Sequence, residues 1–199
     1  PKDCVLSEET PDDPGRLQAE RVWIADPIDG TAHFANRRDG FSTLIALCVN
    51  GVAEETIAHF PALGLTLYAK LSEGAFVNRR RVFVSKHLGE GAKIAAHAPR
   101  FAALHSAPAH YNNNAIAVFK MVTGEIDGCV ATTTPSTGEH DYAWASCAIE
   151  SAGGSLTDLA GAALRYNKAV RSMPPVLVCS NGFVHDDLLL RANAIEGKN

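Results

Sequence analysis

The stretch Trp23-Ile24-Ala25-Asp26-Pro27-Ile28-Asp29-Gly30-Thr31 constrains this chain more than any other. An apolar strand over Arg21 to Ala25 runs out into two carboxylates that straddle a proline, then into a Gly-Thr turn. Pro27 fixes its own φ and biases Asp26 towards an extended conformation. A turn here swings Asp26, the Ile28 carbonyl and Asp29 towards the same side. Gly30 lets the backbone approach a ligand closely. Thr31 offers a hydroxyl and a free amide where a helix begins, a natural seat for phosphate. The pattern is one that brings divalent metal ions and a phosphate group to one point. Taken alone, Asp-Pro-x-Asp-Gly is more often a plain turn, so the rest of the chain has to supply the other parts.

The bulk properties narrow the classes. At 199 residues the chain makes one large domain or two small ones sharing an interface. With 46% hydrophobic and 20% charged residues it has the composition of an ordinary globular protein. A net charge of −4 argues against a nucleic-acid polymer or a membrane surface as partner. The longest basic run, Arg79-Arg80-Arg81, reads as a turn between strands. No stretch is long and apolar enough to span a membrane as a helix, and the start at Pro1-Lys2-Asp3 shows no signal-peptide pattern. The five cysteines (4, 48, 129, 147 and 179) form no C-x-x-C and no zinc spacing. Four of them sit inside apolar runs and read as small buried thiols, in a reducing, cytoplasmic setting.

Patterning predicts strands first and alternating elements afterwards. Phe41 to Val49 reads as a buried strand, Asn50-Gly51 as a hairpin turn, and Val52 to Phe60 as the returning strand. Leu65 to Leu71 and Gly74 to Val77 continue the meander, and residues 11 to 16 read as loop. Further on, strands are expected over Ile94 to His97, Gly128 to Ala131, Ser155 to Asp158 and Val176 to Ser180. Helices are expected over Thr31 to Asn36, Ala115 to Thr123, Asp141 to Ala152 and His185 to Ala194. This is an α/β chain, an α+β layered sandwich, with a strand-rich subdomain over 1–84 and an α/β subdomain over 85–199.

Four segments, in order, resemble the signatures of the inositol monophosphatase family, which comprises Mg²⁺-dependent, lithium-sensitive phosphatases. Asp26-Pro27-Ile28-Asp29-Gly30-Thr31 looks like its first signature. Leu6-Ser7-Glu8-Glu9-Thr10 is similar to its Gly-Glu-Glu-Ser strand end. Glu139-His140-Asp141-Tyr142-Ala143 with Glu150-Ser151-Ala152-Gly153-Gly154 resembles the second signature, Trp-Asp-x-Ala followed by Glu-Ala-Gly-Gly. Cys179-Ser180-Asn181 matches a strand and Asn near the family's C-terminus.

The resemblance implies an inositol monophosphatase/fructose-1,6-bisphosphatase-like fold, two or three Mg²⁺ ions and a small phosphorylated substrate. It implies that Glu8, Asp26 and the Ile28 carbonyl hold one ion, and that Asp26, Asp29 and Asp141 hold a second roughly 3.5–4 Å away. Gly30 and Thr31 amides would bind the phosphate, with Asp141 also bordering the substrate. Glu8, Thr31 and Asp29 would carry the catalytic work, Glu8 and the Thr31 hydroxyl by orienting the attacking water. Four crowded carboxylates repel one another unless cations bind among them. The resemblance also allows a homodimer.

The chain departs from the pattern in places. The two helices that usually precede the Glu-Glu strand are not in this sequence, and with them goes an acid that normally pairs with the equivalent of Thr31. His140 stands where the signature has Trp, and Trp144 where it has a small residue. Asn113-Asn114 replace a Gly-Ser, and the family's inositol-contacting Glu falls near Thr134. Arg37 and Arg38 read as exposed loop residues, and Arg165-Tyr166-Asn167-Lys168 as a surface turn. The alternatives are a 3′(2′),5′-bisphosphate nucleotidase, a histidinol phosphatase, or a catalytically silent metal- or phosphate-binding relative.

Overall fold

The computed structural model describes residues 3–96, 98–107 and 113–197. Strands β1 (Cys4–Ser7), β2 (Arg21–Asp29), β3 (Ser42–Val49), β4 (Val52–Phe60), β5 (Leu65–Lys70), β6 (Gly74–Val77) and β7 (Arg80–Val82) form a seven-stranded sheet in chain order. All pairings are antiparallel except β1 with β2, which run parallel. Asn50 and Gly51, both at positive φ, turn β3 into β4 as the Asn-Gly pair predicts.

A second sheet has the order β10 (Ser155–Asp158), β11 (Val176–Ser180), β9 (Gly128–Thr132), β8 (Ile94–Ala96). Helices α2 (Asn114–Val122) and α3 (Glu139–Ser151) lie between the sheets. Their buried faces share one core with β2 to β6 on one side and with Cys129, Ala131, Leu177 and Cys179 on the other. Phe60 meets Phe119 and Trp144 edge to face, with ring centroids at 5.0 and 6.3 Å. The outer face of the small sheet packs on α4 (His185–Glu196) and on a 3₁₀ turn over Pro99–Leu104. The result is a layered α+β architecture, sheet–helix–sheet–helix.

Several boundaries differ from the sequence expectation. β2 does not stop at Ala25 but continues through Pro27 to Asp29, because a register shift absorbs the proline. The turn near the arginine triplet is made by Asn78 and Arg79 at positive φ, while Arg80 and Arg81 pair with Val77 and Phe76 as an edge strand. Residues 14 to 18 form a 3₁₀ turn rather than loop, capped by the Asp13 side chain. Helix α3 starts at Glu139, two residues earlier than expected. A short helix α1 (Thr31–Ala35) follows β2. His97, expected to close β8, lies outside the described residues.

Candidate active site

The parallel pairing of β1 with β2 puts Ser7 opposite Ala25, so the next residues, Glu8 just past the end of β1 and Asp26 within β2, follow side by side. Along β2, Val22, Ile24 and Asp26 alternate onto the buried face. Asp29 is an odd number of residues further on and in a regular strand would point the other way. Between Asp26, opposite Leu44, and Asp29, opposite Ser42, the register shifts by one residue. This bulge turns Asp29 back to the side of Asp26. Asp26 Oδ1 accepts the Ile28 amide at 3.0 Å, and Asp29 Oδ2 accepts the Ser42 hydroxyl at 2.9 Å.

Gly30 follows in the left-handed region, at φ 74°. A Cβ there would stand 2.6 Å from the Gly40 carbonyl oxygen, so the close approach requires glycine. Thr31, exposed, opens α1 beside this turn. Asn113 ties the region to α2: its side-chain amide donates to the Gly40 carbonyl at 2.8 Å, and its oxygen caps the helix at the Ile116 amide.

Asp141 comes from the opposite layer. It lies inside the first turn of α3, where its Oδ2 accepts the Gly138 amide at 2.7 Å. Its carbonyl accepts the indole N–H of Trp144 at 3.0 Å. The start of α3 is anchored by Glu139, fully buried, which accepts the backbone amides of Asn167 at 2.7 Å and Lys168 at 3.0 Å. Asn167 in turn exchanges hydrogen bonds with Arg16, which is buried and held by Asp12. The segment Arg165-Tyr166-Asn167-Lys168 is therefore not a surface turn. Tyr166 is buried, and the next two amides face a carboxylate that needs them.

These elements bring the four acidic side chains together. One ligand atom each from Asp26, Asp29 and Asp141 lie within 4.8 Å of one another, and so do one each from Glu8, Asp26 and His140. Asp26 belongs to both groups. Burial pushes the Asp26 carboxyl up to about 7, helped by the charges of Asp29, Glu8 and Asp141. Burial likewise pushes Asp29 up to about 6 against the opposing Ser42 hydrogen bond. Asp141 is raised by burial too, with the Gly138 amide and His140 opposing. Carboxylates held together in this way, at a cost to their ionised forms, are able to hold a metal ion. A donor set made largely of oxygens suits a hard cation such as Mg²⁺.

Beside Asp29 and Asp141 opens a cavity of about 400 Å³, lined among others by Asn114, Thr132, Thr137, Tyr142 and Trp144. Arg37 and Arg38, just past α1, are exposed. The sequence reading gave no site role to three participants, Arg16, Glu139 and His140. Arg16 falls at the end of the segment read as loop, Glu139 and His140 appear only within the second-signature run, and nothing in the spacing of the eight histidines marked His140 as a ligand.

The sequence profile of the inositol monophosphatase family matches residues 1–195, and the chain belongs to that family. It is a phosphoric monoester hydrolase, like the relatives it matches. It is 27% identical over 205 residues to the fructose-1,6-bisphosphatase/inositol-1-monophosphatase of Thermotoga maritima, covering 98% of this chain and 75% of that one. It is 32% identical over 197 residues to the 3′-phosphoadenosine 5′-phosphate phosphatase of Mycobacterium bovis, covering 90% and 69%. Among solved structures, a Thermotoga maritima IMPase superposes with a TM-score of 0.80 at 25% identity, over 98% of this chain and 76% of that one.

Proposed function

We propose that this phosphatase is Mg²⁺-dependent, works with two or three ions, and releases phosphate from a small phosphorylated polyol, sugar or nucleotide. The observation that carries the reading is the pair of side-chain groups sharing Asp26, set beside the cavity at Asp29 and Asp141. Glu8, Asp26 and the Ile28 carbonyl form one ion site, and Asp26, Asp29 and Asp141 the other. Bound there, Mg²⁺ supplies charge neutralisation on the ester oxygens and a water that is nucleophilic at neutral pH. Gly30 and Thr31 present backbone amides to the phosphate. Glu8 and the Thr31 hydroxyl orient the attacking water, so no covalent phosphoenzyme is needed. Asp141 borders the substrate, whose leaving group occupies the cavity.

The amide and hydroxyl lining from Asn114, Thr132 and Thr137 suits a hydroxyl-rich leaving group. A second reading, a 3′(2′),5′-bisphosphate nucleotidase, is favoured by the 32% identity to the mycobacterial phosphatase and by Arg37 and Arg38, which are free to meet a second phosphate. The remaining parts of the proposal are a cytoplasmic location, which the free cysteines support, inhibition by millimolar lithium, a working unit built from residues 1–84 and 85–199, and a homodimeric assembly.

The test is phosphate release, with and without Mg²⁺, from inositol 1-phosphate, adenosine 3′,5′-bisphosphate, histidinol phosphate and fructose 1,6-bisphosphate. Mg²⁺-dependent release from one of them supports the reading and identifies the substrate. Release from none, with Mg²⁺ still bound, would replace it by a silent metal-binding relative.

A further inference from the structure

His140 joins the acidic residues in a way that the hydrolysis reading leaves unused. One of its ring nitrogens lies within 4.8 Å of a carboxylate oxygen of Glu8 and of one of Asp26, and those two oxygens are equally close to each other. The side chain is only 10% exposed, and Nε2 stands 3.3 Å from Asp141 Oδ2. Nδ1 is buried without a hydrogen-bond partner among the described residues. A buried imidazole nitrogen with no partner costs free energy unless something else satisfies it. The ring fits here because residue 138 is glycine: a Cβ at that position would stand 2.5 Å from Cε1 and 2.8 Å from Nδ1 of His140. Adjacent residues in the first turn of α3 thus face the two groups, Asp141 the one with Asp29 and His140 the one with Glu8.

The geometry points to His140 as a nitrogen ligand of the ion held by Glu8 and Asp26, so that this position favours Mn²⁺, Co²⁺ or Zn²⁺ over Mg²⁺. The inference rests on the proposed ion site at Glu8 and Asp26 and refines which cation that site takes. Mg²⁺ keeps oxygen ligands and gives up its waters reluctantly, whereas an imidazole nitrogen is an ordinary donor to first-row transition cations. One nitrogen and two carboxylates make a mixed set, of the kind that separates these cations from Mg²⁺ by donor type.

The test uses the whole chain loaded with Mn²⁺ and read by pulsed electron paramagnetic resonance. The expected result is ¹⁴N coupling at the bound Mn²⁺, replaced by ¹⁵N coupling when the protein carries ¹⁵N-histidine, and lost in His140→Phe and His140→Gln. In both variants Mn²⁺ affinity should fall about 10- to 100-fold, the range seen when a supporting ligand contact is lost, while Mg²⁺ affinity changes far less. Labelling the unaltered protein keeps the test valid even where a variant folds poorly. Bound Mn²⁺ with no nitrogen coupling overturns the assignment of His140 and leaves the acidic ion sites standing. No Mn²⁺ binding overturns both.

Discussion

The fully buried Glu139 carboxylate accepts the backbone N–H of Asn167 at 2.7 Å. Through that bond the start of α3, which carries Asp141, is fixed to a loop that Arg16 holds from the other side. Glu139 also takes the Lys168 amide at 3.0 Å and lies 3.2 Å from the Lys168 ammonium. Glu139→Gln keeps the shape but removes the charge and points an N–H at a donor. It should cost about 1–3 kcal/mol of stability. By loosening Asp141 it should also weaken Mg²⁺ binding about 10-fold. Thermal unfolding and Mg²⁺ titration of the variant check both, and unchanged Mg²⁺ affinity would detach the Glu139 clamp from the site.

Asp29→Asn separates function from folding. The native state holds Asp29 against burial, with its carboxyl raised to about 6. Removing the charge relieves the metal-free protein, so its melting temperature above neutral pH should stay level or rise. Phosphate release should nevertheless fall roughly 100-fold or more, at least the loss seen when a supporting metal contact is removed. Wild-type activity in this variant would take Asp29 out of the site.

The raised carboxyls also set the pH dependence of stability. Asp26 moves from an ordinary 3.8 to about 7 on folding, and Asp29 to about 6. Between those values the native state keeps protons that the unfolded chain has released. The stability of the metal-free protein therefore falls as pH rises from about 4 to about 7 through this term, and levels off above. Cations compete with the same protons, so the stabilisation given by saturating Mg²⁺ should grow across that window. Denaturant titrations with and without Mg²⁺ at several pH values read this directly. A Mg²⁺ effect that shrinks with rising pH would contradict it.

Gly30→Ala tests the turn that seats the phosphate. The new Cβ would meet the Gly40 oxygen at 2.6 Å, at a φ of 74°. A strained backbone of this kind costs about 1–3 kcal/mol. The turn can relieve the clash only by moving the amides of residues 30 and 31, so kcat should fall as well. Unfolding curves and steady-state kinetics measure the two effects, and an unchanged kcat would show that the turn does not hold the phosphate.

Much of this was legible in the sequence where single residues dictate the backbone. Gly30 and the Asn50-Gly51 pair announce a tight turn and a hairpin by their own chemistry, whereas the turn expected at Pro27 is a bulge within β2. The meander from Phe41 to Val77 follows from its apolar runs and the turn signals between them. The remainder depends on long-range pairing. Nothing local says that Cys4–Ser7 runs parallel to Arg21–Asp29, yet that register sets Glu8 beside Asp26. Helix α3, expected from Asp141, starts at Glu139, because the Asp141 side chain caps the Gly138 amide from inside the first turn. The burial of Arg16 and Glu139 is not written in the local sequence, because burial of a charge is decided by the partner, here Asp12 and the 167–168 amides.

Asp26 is common to both side-chain groups, so counting bound ions in Asp26→Asn tests the account most directly. Calorimetric titration with Mg²⁺ should show at least two ions on the wild-type chain. In the variant both linked sites should be lost or severely weakened together, along with phosphate release. If Asp26→Asn bound the same number of ions with the same affinities, Asp26 would not be the shared ligand, and the proposed metal centre would be wrong.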